Sequence, residues 1–315
     1  MAARRRPAPE RRTPSIFWFF AALAALPLEA MFKYRIDGEL PRTGPYILTP
    51  NHYSDLDPVT TGYAIWKLGR KPVFMAKASL FKVPVVGKLL TASGQIPVER
   101  ERGAAKQGTM NAARQLVENG SAVIIYPEGT LTREPDGWPM RGKPGAVRLA
   151  LEAGVPIIPI ATMGADAVMP RFARTKKFRF RLRTPLHVKV GHPVDLSAFQ
   201  GRAHSRTAVT AATELVMTEI THLLEELRGE TAPAERYDPA KHGQTEFGMP
   251  EPAPVMTPAG QPTGKPDRPA ATWTAEELAA SVLAASVPAE ASAAEATAAE
   301  VTATPAASAD REPMA

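Results

Sequence analysis

The sequence predicts an α/β domain, a mixed sheet flanked by helices, followed by a tail without regular structure. Three observations carry this. Short apolar runs alternate with helix-patterned stretches from Tyr34 onward, and the 44% hydrophobic content of 315 residues is ample for one large core. Near residue 229 the pattern stops, and 12 of the 32 prolines fall in 231–315 among Ala, Thr, Ser and Glu. The chain has no cysteine, which excludes a disulfide framework, a thiolate nucleophile and thiolate-held zinc or iron–sulfur sites.

Residues 1–14 carry Arg4, Arg5, Arg6, Arg11 and Arg12 among prolines and are expected to be a basic, unstructured N-terminus. Ile16 to Leu28 is an apolar run of 13 residues; as a helix it reaches roughly 20 Å, short of the ~30 Å hydrocarbon core. Residues 15–32 are therefore expected to form a membrane-associating helix lying in the interface, with Phe17, Trp18, Phe19 and Phe20 at headgroup level. A cleaved signal peptide and a buried core helix fit the same run.

The domain proper is expected over 33–228. Strands are predicted at Tyr46 to Thr49, Ala122 to Tyr126, Pro156 to Ala161, Phe178 to Leu182 and Leu186 to Val190. Helices are predicted at Pro58 to Leu68, with Asp57 as N-cap, at Ala104 to Glu118, and at Ala146 to Ala153 before Gly154. In Ser205 to Leu227 the apolar residues Val209, Ala212, Val216, Ile220, Leu223 and Leu227 recur at helical spacing. Residues 229–315 are expected to be a disordered tail, so that ending the chain near residue 230 should leave the domain intact.

The net charge of +6 is unevenly spread: residues 231–315 hold 12 acidic and 5 basic side chains, leaving 33 basic against 20 acidic in the rest. Such a surplus points to a polyanionic partner, nucleic acid or an anionic membrane. No helix-turn-helix, zinc finger or RNP-type aromatic pattern is present, so the partner expected is membrane lipid and not nucleic acid. The acid-free stretch Arg171 to Lys189, with Arg179 and Arg181 alternating with Phe178, Phe180 and Leu182, offers a basic strand face to lipid or to an acidic carrier.

Chemistry concentrates in four segments. Asn51-His52-Tyr53-Ser54-Asp55-Leu56-Asp57-Pro58 places a histidine in a strand-to-helix loop with a carboxylate five residues on. If the loop turns, Asp57 fixes one ring nitrogen and leaves the other as a general base; Asp55 is a second possible partner. Of six histidines only His52 has an Asp at that spacing. Gly94 to Arg100 is a proline-punctuated apolar stretch that delivers Arg100. Tyr126-Pro127-Glu128-Gly129-Thr130 follows a strand, where Gly129 can bring backbone N–H groups to an anion and Thr130, Arg133 and Arg100 can donate to phosphate oxygens. Val155 to Ile160 is a further strand.

In this order the four segments resemble the glycerolipid acyltransferase family, and within it the 1-acyl-sn-glycerol-3-phosphate (lysophosphatidic acid) acyltransferases. Its NHxxxxD block is matched by Asn51, His52 and Asp57, its second block by Ile96, Pro97 and Arg100, its PEGT block by Tyr126 to Thr130, and its VPxxP block by Val155, Pro156 and Pro159. One departure lies after the threonine, where the family often has arginine and this chain has Leu131, with Arg133 two residues later. The resemblance implies the family's α/β fold, with His52 and Asp57 catalytic, and Arg100, Glu128, Gly129, Thr130, Arg133 and Lys77 binding the substrate phosphate. It implies transfer of an acyl group from acyl-CoA or acyl-carrier protein to the sn-2 hydroxyl of a lysophospholipid, without covalent intermediate, metal or cofactor. The absence of cysteine and of a G-x-S-x-G elbow agrees with this independently. The work would occur at the cytoplasmic face of the cell membrane, the chain being peripheral or monotopic. Other acceptors, such as glycerol-3-phosphate, another lysophospholipid or a glycolipid, and a non-catalytic lipid-binding module remain as alternatives.

Overall fold

The structure is a computed structural model that describes residues 16–98, 105–172, 178–179 and 181–244. The basic N-terminus, Arg100, the basic run 173–177 and the chain beyond 244 lie outside the described residues.

A helix, α1 (Ile16–Met31), leads into β1 (Phe32–Asp37) and β2 (Tyr46–Pro50). Then follow α2 (Asp57–Lys67), β3 (Pro72–Lys77), α3 (Val86–Ala92), β4 (Ile96–Val98), α4 (Ala105–Glu118), β5 (Ala122–Ile124), α5 (Gly145–Ala153), β6 (Ile157–Met163), β7 (Thr184–Val190) and α6 (Arg206–Arg228). The seven strands form one sheet in the order β1-β7-β6-β2-β5-β3-β4. Every pairing is parallel except β6 with β7. The sheet is thus mixed, as expected.

The inner strands are apolar on both faces because helices cover both. Tyr46 and Leu48 of β2, Ala122 and Ile124 of β5, and Ile158 and Ile160 of β6 pack with Ala64 and Ile65 of α2 and Leu28 of α1. The alternate residues Ile47, Val123 and Ile157 face Leu116 of α4, Val147 of α5, and Val209 and Val216 of α6. Capping fixes the helix ends: Ser205 accepts from the Ala208 amide at the start of α6, and Gly154 and Gly229 close α5 and α6 in the left-handed conformation.

Three sequence expectations are corrected. Of the strand expected at Phe178 to Leu182, the described residues 178–179 and 181–182 are not in the sheet; Phe178 and Leu182 are exposed, and the Arg179 amide donates to the Val168 carbonyl. Alternation alone does not make a strand where no partner edge is offered. Asp57 is the first residue of α2, not its N-cap; Leu56 holds that place and the Asp57 carboxylate turns back toward the preceding loop. Nor does order end at 228: residues 229–244 continue over the domain and include a 3-10 turn, Pro239–His242. Arg236 anchors this strap to α6 through Glu214, Thr218 and Thr221.

Candidate active site

β2 and β5 are adjacent and parallel, so the loops leaving their carboxyl ends meet above the sheet, where open α/β folds place their sites. The first loop, 51–56, is pinned from three directions. Asn51 extends the β2–β6 pairing past the strand end: its Nδ2 donates to the Thr162 carbonyl at 3.0 Å and its Oδ1 accepts from the Thr162 amide at 2.7 Å. The Tyr53 hydroxyl accepts from the Gly164 amide, and Ser54 Oγ donates to the Met169 carbonyl.

Inside this loop the imidazole of His52 meets Asp57, not Asp55, with Nδ1 to Oδ2 at 3.0 Å. The same Oδ2 accepts the backbone N–H groups of Tyr53 at 2.7 Å and Ser54 at 2.8 Å. An oxygen that takes two amide donors acts as acceptor to the third partner as well, so Nδ1 carries the proton and Nε2 keeps its lone pair. Asp57 is buried, whereas the His52 side chain is 16% exposed, leaving the base reachable. The Tyr126 ring lies against the imidazole, centroids 4.3 Å apart, and fixes its plane.

The second loop, 125–144, carries the PEGT residues. Glu128 is fully buried; its Oε1 accepts the His52 amide and its Oε2 the Met140 amide, each at 3.0 Å. Burial pushes its carboxyl up to about 7, against the opposing effect of those amide donors. Fully buried and turned to the His52 and Met140 amides, Glu128 is a brace for the His52 backbone and does not face a phosphate, which corrects the sequence expectation. The Thr132 amide completes the brace by donating to the His52 carbonyl at 2.7 Å.

Gly129 has φ of +72°, and its N–H closes the turn on the Tyr126 carbonyl instead of pointing at an anion. A Cβ there would lie 2.9 Å from Lys143 Cδ, so glycine lets the Lys143 chain cross this loop. Thr130 is half-buried beside it. Arg133 is turned inward, 5% exposed, with Tyr237 nearby; burial lowers its guanidinium's affinity for protons, and an open phosphate contact is not where the structure places it. Lys77 ends β3 opposite Val98, the last residue of β4, which brings that edge to the same end of the sheet. Arg100 follows Val98 by two residues in sequence.

Sequence reasoning missed Lys143, the contact of the Tyr126 ring with His52 and the use of Arg171. The Arg171 guanidinium donates to the carbonyls of Thr132, Glu134 and Pro135, so the first cation of the expected lipid-facing stretch holds the PEGT loop instead. Only the Gly142-Lys143-Pro144 break before α5 hinted at Lys143.

Beside α2 runs an apolar groove of about 240 Å³, lined by Ala21, Ala24 and Leu28 of α1, Pro58, Val59 and Gly62 of α2, and Phe74 of β3. It begins one residue past Asp57. On its outer side α1 exposes Phe19, Leu23 and Leu26 at helical spacing, Leu26 at 81%. No described helix is long and apolar enough to cross a membrane. Among the described residues no group of three or more His, Asp or Glu side chains converges as a metal site.

Residues 32–163 match the Acyltransferase family model. A chloroplastic 1-acyl-sn-glycerol-3-phosphate acyltransferase of Brassica napus is 33% identical over 156 residues, 48% of this chain and 44% of its own. A probable 1-acyl-sn-glycerol-3-phosphate acyltransferase of Mycoplasma genitalium is 30% identical over 148 residues, 46% of this chain and 54% of its own. The chain thus spans about half the length of the curated relatives it matches. The crystal structure of the lysophosphatidic acid acyltransferase PlsC from Thermotoga maritima aligns with a TM-score of 0.49 at 22% identity, covering 69% of this chain and 82% of that one.

Proposed function

We propose, from the match of residues 32–163 to the Acyltransferase family model, that the protein transfers a fatty acyl group from a thioester, acyl-CoA or acyl-carrier protein, to the sn-2 hydroxyl of 1-acyl-glycerol-3-phosphate, yielding phosphatidic acid. The observation that carries the reading is the 3.0 Å contact of His52 Nδ1 with Asp57 Oδ2, in the loop that leaves the carboxyl end of β2 beside β5, which assigns Nε2 as the base. Nε2 takes the proton of the acceptor hydroxyl as its oxygen attacks the thioester carbonyl. The C–S bond then breaks, and the thiolate leaves with the proton returned from His52. Asp57 holds the imidazolium through the step. The activated acyl group arrives as a thioester, so the reading asks for no metal or resident cofactor.

The acceptor phosphate is assigned to Thr130, Lys143 and Lys77 at the end of β3 and, on the resemblance alone, to Arg100. The acyl chain is assigned to the groove between α1 and α2, where burial of apolar surface contributes about 25 cal/mol per Å². α1 would rest at the cytoplasmic membrane surface by Phe19, Leu23 and Leu26, delivering lipid substrates to that groove.

The test is direct. Purified protein is given oleoyl-CoA, then an acyl-carrier-protein thioester, with lysophosphatidic acid, glycerol-3-phosphate and other lysolipids in turn, and His52→Ala beside it. Phosphatidic acid from the unaltered protein alone is expected. A different acceptor acylated preferentially would replace the substrate; no transfer to any acceptor would overturn the enzymatic reading.

A further inference from the structure

Residues 229–244 lie outside the sequence pattern of the domain, yet the structure ties them to the catalytic loop. Arg236 donates to Glu214 Oε2 at 3.1 Å, Thr221 Oγ1 at 2.9 Å and Thr218 Oγ1 at 3.2 Å, all on α6. Fixed there, the strap grips segment 139–143 by three bonds, the first from the Arg236 guanidinium to the Pro139 carbonyl at 3.5 Å. The Arg141 amide donates to the Tyr237 carbonyl at 2.8 Å, and the Arg141 guanidinium meets Asp238 at 3.3 Å. The neighbouring Met140 amide binds Glu128, and the Lys143 amide binds the Pro127 carbonyl at 2.7 Å. Glu128 in turn holds the His52 amide. Asp238, Pro239 and Ala240 share with Glu128, Met140 and Lys143 the walls of one small cavity.

We propose that the strap is a positioning element of the active site: anchored by Arg236, it locks segment 139–143, which locks Glu128 and through it the His52 backbone. The inference rests on the acyl-transfer reading for its activity arm only. Displacement of the base by a fraction of an ångström is enough to lower turnover, since near-attack geometry tolerates little error. A merely stabilising strap would change the melting temperature and leave kcat alone well below it.

The test uses the full chain with Arg236→Met, Arg236→Lys and Asp238→Ala, read at a temperature where each variant is fully folded by circular dichroism. Arg236→Met is expected to lower kcat about tenfold or more with little change in donor KM, and Arg236→Lys to recover part of it, as loss of a positioning contact should. Amide exchange at Met140 and His52 is expected to speed up in Arg236→Met, with exchange in β6 unchanged. Unaltered kcat together with unaltered exchange in both Arg236→Met and Asp238→Ala would overturn the proposal. If the unaltered chain acylates nothing, the functional reading fails, and the exchange measurement alone then decides the strap: faster exchange supports it, unchanged exchange ends it.

Discussion

At the scale of single residues, the chemistry hangs on one oxygen. Asp57 Oδ2 accepts from His52 Nδ1 and from two backbone amides, so Asp57→Asn presents an amide group to donors and frees the wrong tautomer of His52. A loss in kcat of roughly 10³-fold or more is expected from steady-state kinetics, with several orders of magnitude for His52→Ala. The His52 variant should melt near the parent temperature, because its backbone bonds to Glu128 and Thr132 survive. Glu128 gives a stability prediction. Its carboxyl rises from 4.5 to about 7 on folding, so between those values the unfolded chain releases a proton that the folded one keeps. Stability should therefore fall as pH rises through that window, by on the order of 3 kcal/mol in all. Thermal melts of Glu128→Gln across the window should show a flatter dependence; an unchanged slope would remove Glu128 as its source. The dyad was legible because its members are five residues apart. The brace was not: Glu128 lies 76 positions from the amide it holds, and nothing local distinguishes a buried carboxylate from a ligand.

Among the elements, those with a full hydrophobic period were readable and those defined by a neighbour were not. α2, α4, α5, α6 and the inner strands β2, β5 and β6 follow from their apolar runs. β1 has the half-buried pattern of a strand, but its place at the sheet edge depends on β7, 152 positions later in register. β4 has only three residues and pairs with β3 alone, too few to show a period, and β3 joins it to the sheet through β5; Phe178 to Leu182 is the converse, an alternating stretch whose described residues are not in the sheet. α1 is apolar on both its inner and outer sides, and the outer side supplies a prediction. Leu23→Glu with Leu26→Glu should abolish co-sedimentation with anionic vesicles while leaving the fold intact, and retained binding would move the membrane contact elsewhere. The inner side supplies another: Ala24→Phe narrows the groove and should lower turnover of oleoyl-CoA several-fold more than that of decanoyl-CoA.

For the molecule as a whole, composition marked the end of the domain near 228, and the structure moves it to at least Gln244. The miss has a physical cause: the strap is held largely by polar contacts of Arg236, Arg141 and Asp238, and its apolar anchors, Ala232 and Pro239, recur at no helix or strand spacing, so it is invisible to a search for hydrophobic period. Ending the chain at 244 should leave acyl transfer within about twofold of the full chain, whereas ending it at 229 should lower kcat at least tenfold; equal activity of the two would return the boundary to 229.

The clamp of Asn51 on Thr162 spans 111 positions. Contacts of such separation close late, because loop-closure entropy is incurred before they contribute. During synthesis α1 leaves the ribosome long before Thr162 does, so the apolar face that meets lipid is available while the loop bearing the base is still open. The nascent chain would therefore reach the bilayer before it can act on it, and recovery of activity on refolding should lag behind recovery of helix.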